Sequence, residues 1–246
     1  MSIIISPAKK MNMNNDDILS TSTPCYLEKS SQLMDILKSY SYEELKNLLC
    51  CNDSIASLNY DRYKSMDLTK ALTPAILAYD GIQYSSMSPS TFTNSEFDYI
   101  NNNLFILSGF YGVLRGFDGI VPYRLEMQAK LKTNSFSGLY NFWGDSIYST
   151  LKSQNKTILN LASKEYSKCV EKYLSKDDEY ITCVFGKLVN DKVKVTSTES
   201  KMARGLMTRF MATNNITNIN DIKNFSDMSF RFSEELSSHN TFVFIK

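Results

Sequence analysis

Apolar positions along this chain follow two different periods. At 27–37 and 42–49 they recur at helical spacing (Leu33, Met34, Leu37; Leu45, Leu48, Leu49), the mark of a helix that buries one stripe. Ser41-Tyr-Glu-Glu44, at the head of the second run, has the form of a capping box. Residues 55–63 and 74–79 predict two further short helices, with Pro74 suited to a first turn. Thr93-Asn-Ser-Glu-Phe97 marks another helix start ahead of Tyr99. Short unbroken apolar runs at 2–6 (stopped by Pro7), 104–107, 157–162 and 241–245 predict buried strands. Residues 180–185 and 192–196 alternate on either side of 186–191 and predict a hairpin. Loops are expected at 14–24 and 176–179. No repeat, low-complexity tract or linker breaks the order. A helical block at about 27–100, then strands mixed with helices, predicts an α/β (α+β) fold: one compact domain over 1–246, with a mixed sheet and surrounding helices.

Composition narrows the function classes. Apolar residues make up 43% and charged residues 22%, the balance of a chain with a real core. The apolar run after Met1 is too short, and lacks the preceding charges, for an export signal. No stretch approaches the roughly 18 apolar residues of a membrane span. The expectation is a soluble cytoplasmic protein with no membrane partner. The five cysteines, Cys25, Cys50, Cys51, Cys169 and Cys183, are odd in number and contain no Cys-x-x-Cys; reduced thiols, mostly buried, are expected. The single histidine, His239, lies near the C-terminus, so multi-histidine metal sites are excluded and no metal or cofactor is expected. Chemistry falls to carboxylates, lysines, tyrosines and arginines. The formal net charge is +1; a protein that coats nucleic acid with its whole surface is far more basic, so any phosphate site has to be a local concentration of cations.

Four segments offer such a concentration. On a helix advancing about 100° per residue, 201–210 gathers Met202, Ala203, Leu206, Met207 and Phe210 on one face, and Lys201, Arg204 and Arg209 on the other with no acid among them. Gly205 sits within the cationic face, where a missing side chain admits another backbone or a ligand. Residues 107–127 hold four of the nine glycines, with Arg115, Tyr123, Arg124 and Glu126 around them. Arginine grips phosphate in a fork, and Glu126 reads best as the group that orients it. This segment has neither Gly-x-Gly-x-x-Gly nor Gly-Lys-Ser/Thr, so nothing supports a Rossmann or Walker nucleotide site. Residues 139–145 hold the only tryptophan, Trp143, and Asp145, and 159–168 run from a strand into Asn160, Ser163, Lys164 and Tyr166. Last, the first strand delivers Ser6 and Lys9. Polar groups at strand C-terminal ends are where α/β proteins bind ligands.

Together these segments resemble one family. Ile-Ser-Pro-Ala-Lys9, Ser108-Gly-Phe-Tyr-Gly-Val-Leu-Arg115, Pro122-Tyr-Arg-Leu-Glu-Met127, Leu139-Tyr-Asn-Phe-Trp-Gly-Asp145, Asn160-Leu-Ala-Ser-Lys-Glu-Tyr166 and Lys201-Met-Ala-Arg-Gly-Leu-Met-Thr-Arg-Phe210 are similar, in order, to the motifs of the bacterial YaaA family of peroxide-stress proteins. The resemblance implies a cytosolic DNA-binding protein that protects against hydrogen peroxide and iron-linked oxidative damage, with an α/β fold, a positively charged cleft and a helix-hairpin-helix element. Carried onto this chain, Lys9, Arg115, Arg124, Lys164, Lys201, Arg204 and Arg209 would line the cleft. Ser6, Tyr123, Glu126, Trp143, Asp145, Asn160 and Tyr166 would support it, and the helix-hairpin-helix would fall at about 45–63. The expected partner is DNA, duplex or distorted, bound by a monomer with little sequence preference. The alternative is an enzyme acting on a nucleotide, nucleic acid or other anionic substrate in the same cleft. A closed pocket holding Lys9, Arg124, Glu126 and Lys201 would favour a small substrate, and an open groove would favour duplex DNA.

Overall fold

The computed structural model describes residues 1–13 and 18–246; the first part of the loop expected at 14–24 lies outside them. An eight-stranded mixed sheet runs through the molecule, with helices around it, and the fold is α/β. Its strands are β1 (Ser2–Ile5), β2 (Leu104–Ser108), β3 (Gly112–Arg115), β4 (Thr157–Leu161), β5 (Glu179–Val189), β6 (Lys192–Lys194), β7 (Arg231–Ser238) and β8 (Thr241–Ile245). They lie in the order β7-β8-β5-β4-β1-β2-β3, with β6 paired to β5. β2, β1, β4, β5 and β8 are parallel to one another, and β3, β6 and β7 add antiparallel pairs.

β1 shows why the run of isoleucines becomes a central strand. Ile3, Ile4 and Ile5 are all completely buried. An unbroken apolar strand suits a parallel sheet covered on both faces. Ile3 pairs with Leu104 on one side and Leu159 on the other, and Ile5 with Ile106 and Leu161. Pro7 then lacks the N–H that would continue the ladder, and the chain leaves the sheet.

The helices begin where capping chemistry places them. Both Ser41/Glu44 and Thr93/Glu96 form full capping boxes, opening Tyr42–Leu49 and Asn94–Asn103. Residues 45–63 form the end of Tyr42–Leu49, the link Cys50-Cys51-Asn52, and most of Asp53–Ser65. Asn52 caps the second helix with its own side chain. Asp53 pairs with Lys46 at 2.6 Å and accepts the Tyr42 hydroxyl at 2.8 Å, so the link presents a carboxylate.

Three local expectations change. The expected hairpin forms, but its link is shorter than 186–191: β5 runs through Gly186 to Val189, and Asn190 and Asp191 make the turn, both with positive φ. Residues 74–79 give only a single helical turn, Ala75–Ala78. Of the five free thiols only Cys169 and Cys183 are buried, while Cys25 and Cys50 are exposed. Among the described residues, no helix is long and apolar enough to cross a membrane.

Candidate functional site

In chain order the five parallel strands occupy the spatial sequence 2-1-3-4-5. The chain leaves β1 toward β2 on one side and reaches β4 on the other, so the switch of direction falls between β1 and β4. Side chains and backbone beyond the carboxyl ends of strands at such a point form a crevice. Here the two exits are tied together: Ser163 N–H donates to Ser6 Oγ at 2.8 Å, and the two hydroxyls lie 3.2 Å apart. A pocket of about 400 Å³ opens there. That is the size of a small-molecule site rather than a duplex-wide groove.

Three further elements close it. The segment following β3 supplies Tyr123, Arg124 and Glu126. It is seated by Gly109, where a Cβ would stand 2.4 Å from the Leu125 carbonyl oxygen, and by Tyr63, whose hydroxyl donates to the Arg124 carbonyl at 2.8 Å. Residues 80–84 supply Asp80, Gln83 and Tyr84, and the Tyr84 hydroxyl donates to the Ser6 carbonyl at 3.0 Å. The helix Ser197–Thr213 supplies Lys201 and Arg204. Its Gly205 packs directly on the short helix Ile82–Met87: a Cβ there would lie 2.1 Å from the Gln83 carbonyl oxygen. The glycine admits another backbone, not a ligand, and Gln83 and Arg204 line the same pocket.

The polar face of Ser197–Thr213 is therefore largely a packing seam. Gly205 and Thr208 are buried in it, and Thr208 turns its hydroxyl back to the Arg204 carbonyl at 2.9 Å. Arg209 reaches the end of Ile82–Met87, donating to the Met87 and Ser88 carbonyls at 3.3 and 3.1 Å and to Thr91 Oγ1 at 2.7 Å. Its guanidinium also lies over the Phe92 ring and 3.7 Å from Glu96. A cation there satisfies the carbonyls that a helix end leaves free.

Of the seven cations expected to share a cleft, Lys9, Arg124, Lys201 and Arg204 line the pocket. Arg115 sits exposed at the end of β3, its backbone N–H bonded to Asp118. Lys164 pairs with Glu171 on its own helix. Among the supporting residues, Ser6, Tyr123, Glu126 and Tyr166 line the pocket. Trp143 is fully buried, with its indole N–H on the Gly109 carbonyl at 3.0 Å. Asn160 is buried and bonded to the Ala162 N–H and the Thr182 hydroxyl. Asp145 is exposed at the start of Ser146–Gln154. Sequence reasoning passed over Lys10, Asp80, Gln83 and Tyr84. Their one signal was Gly81, the first glycine after eighty residues without any, where a Cβ would meet Ala8 at 2.8 Å.

The electrostatics divide the pocket into two walls. On one, Glu126 Oε1 receives Arg124 at 2.7 and 2.8 Å and Lys9 at 3.1 Å. Burial works to raise the Glu126 carboxyl, but Arg124 and Lys9 outweigh it and hold it below the usual range. Glu165, facing the same space, moves the opposite way: burial raises it and the Glu126 charge adds to that, with only partial relief from the Gln128 N–H and Lys9. On the other wall, burial lowers the Arg204 guanidinium. Arg204 Nε and Gln83 Nε2 are both buried and meet no acceptor. Among the described residues no carboxylate pairs with Arg204 or Lys201. Nor do the described residues hold a histidine, cysteine or carboxylate cluster fit for a metal ion.

These features define an α/β protein with a polar pocket, richer in cations than in carboxylates, at the switch point of its sheet. The family described as peroxide stress protein YaaA matches residues 1–236. A UPF0246 protein of Desulfitobacterium hafniense is 56% identical over 246 residues, covering 100% of this chain and 98% of that one. One from Agathobacter rectalis is 48% identical over 244 residues, covering 99% and 98%. The chain belongs to the YaaA family of peroxide-stress proteins.

Proposed function

We propose that this chain is a cytoplasmic DNA-binding protein of the peroxide-stress response that acts as a monomer and grips phosphate in the pocket, with little reading of sequence. The observation that supports it is Arg204, a guanidinium whose buried Nε has no acceptor and which has no carboxylate partner among the described residues. Arg204 is half-buried; taking part of a cation out of water without a partner is costly, and an anionic ligand relieves it. Lys201, three residues earlier on the same helix and exposed, adds charge at the rim. The pocket volume argues that one nucleotide enters at a time, so the strand it takes is single or distorted. The acidic link between Tyr42–Leu49 and Asp53–Ser65 has no part in this interface.

Arg204→Met is expected to weaken binding of a single-stranded oligonucleotide about 10- to 100-fold, as follows from losing a charged hydrogen bond worth about 1.5–3 kcal/mol. The slope of log affinity against log salt should shrink by about one. Fluorescence anisotropy at two salt concentrations measures both. Wild-type affinity indifferent to salt, or an Arg204→Met protein that binds as wild type, would remove the reading.

A second reading, an enzyme acting on a nucleotide or other anionic substrate, is favoured by two observations: Lys9, Arg124, Glu126 and Lys201 share one pocket of small-molecule size, and two carboxylates in that pocket have opposite pKa displacements. Such a divergence suits an acid and a base. Glu165 also makes a pH prediction for binding. Its upward shift means that it takes up a proton at a higher pH than an ordinary glutamate does, and the pocket then loses a negative charge. Affinity for a hydroxyl-ended oligonucleotide is expected to rise as pH falls through that raised value. Glu165→Gln should bind at pH 7 as tightly as wild type does in acid, with a flat profile. A variant profile as steep as that of wild type would show that Glu165 is not the group responsible. If the site is catalytic, the same variant keeps binding and loses turnover.

A further inference from the structure

Two donors set deep in the pocket wall point to the part of the strand it takes. Gln83 is 6% exposed and lines the cavity, and its Nε2 is buried with no acceptor. Arg204 Nε, in a residue that lines the same cavity, is in the same condition. Buried amide and guanidinium donors are nearly always satisfied, and leaving one unmade costs on the order of 1–3 kcal/mol. Two such donors lining one cavity define a seat for a group rich in acceptor oxygens.

The shape of the cavity says which group. About 400 Å³ is room for one nucleotide-sized unit. An internal phosphodiester has a sugar on each side, so reaching buried donors would draw two nucleotides into that volume. A terminal phosphate monoester sits at the tip of its ligand and enters end-on. It also suits the charge: a monoester carries roughly −1.5 to −2 at neutral pH and three free oxygens. Gln83, Arg204 and Lys201 supply donors to match, and none of the three has a carboxylate partner among the described residues. Tyr84 and Tyr166, both nearly buried, wall the same cavity.

We propose that the pocket recognises the phosphorylated end of a nucleic-acid strand, with Gln83 and Arg204 as the seat of the terminal phosphate. This rests on the DNA-binding reading above and adds Gln83 as a residue that sets specificity.

The test uses one single-stranded sequence in four forms: 5′-phosphorylated, 3′-phosphorylated, hydroxyl at both ends, and circular. A phosphorylated end is expected to bind at least about tenfold more tightly than the hydroxyl-ended form, the factor that one well-made hydrogen bond of about 1.4 kcal/mol provides. The circle should bind no better than the hydroxyl-ended form. Gln83→Leu should reduce the preference toward unity. Gln83→Glu keeps the shape, pairs with Arg204 and should abolish the preference, so the result does not hang on one variant's folding. Equal binding of all four forms by wild type overturns the end-recognition proposal and leaves DNA binding intact. Failure of every form to bind removes the DNA reading itself. Competition by the 5′-mononucleotide as strong as that by the phosphorylated strand overturns the strand end in favour of a free nucleotide.

Discussion

Gly205→Ala is expected to destabilise the protein by about 3 kcal/mol, although on an exposed helix the same change would stabilise it by about 1 kcal/mol. The reason lies across the seam. The added methyl would stand 2.1 Å from the Gln83 carbonyl oxygen, 3.0 Å from its carbon and 3.1 Å from Met87 N. All three are backbone atoms, so no side chain can rotate away. Either Ser197–Thr213 or Ile82–Met87 has to move, and each also packs against its own neighbours. Thr208 lies in the same buried seam, and the Arg209 bonds to Met87 and Ser88 would be pulled. For a chain of this size a loss of about 3 kcal/mol lowers the melting temperature by roughly 6–12 °C. Calorimetry measures it, and a melting temperature equal to or above that of wild type would contradict the packing. A second consequence separates seam from site. Any shift parts Gln83 from Arg204, so affinity for a phosphorylated strand should fall even at temperatures where the variant is fully folded.

The same seam shows how far the sequence could be read. Hydrophobic period and capping boxes place most helices and central strands to within a residue or two, because those signals are local: Ile3–Ile5 and the Ser41/Glu44 pair need no knowledge of the rest of the chain. Lys9, Arg124, Glu126, Lys201 and Arg204 do meet at one pocket, since each follows a strand or lies on a strongly patterned helix. A helical wheel cannot say what covers a polar face. Arg209 and Thr208 look like phosphate-facing residues until Ile82–Met87 is laid over them. Trp143, Asn160 and Lys164 stand near the sheet's carboxyl edge in sequence, but burial or a neighbouring carboxylate already occupies them. Gln83 was invisible for the converse reason: its place in the pocket depends on a contact with Gly205, some 120 residues away in the chain, and no local pattern encodes that meeting.

Arg124→Met carries the largest expected cost, about 3–5 kcal/mol at neutral pH, the usual result of removing one partner of a buried ion pair. Arg124 and Glu126 side chains are 10% and 12% exposed, and the guanidinium supplies two of the three cationic contacts to Glu126 Oε1. What remains is Lys9, whose side chain is 68% exposed and holds little against solvent. The sign of the pH dependence follows from the direction of the Glu126 shift. In wild type the carboxyl is held below its ordinary range, so its contribution to stability is present above that range and is lost as pH falls through the depressed folded value. In Arg124→Met burial prevails and the folded protein prefers a protonated Glu126. Its deficit relative to wild type is then greatest near pH 7 and narrows as pH approaches the ordinary carboxylate range. Urea midpoints at pH 7 and near pH 4.5 measure this narrowing. Adding Glu126→Gln to Arg124→Met should restore part of the loss at pH 7, because no buried charge is then left unpaired. Equal deficits at both pH values, together with strictly additive single and double variants, would mean that Arg124 stabilises by packing alone, and that the pocket's acidic wall is not poised by it.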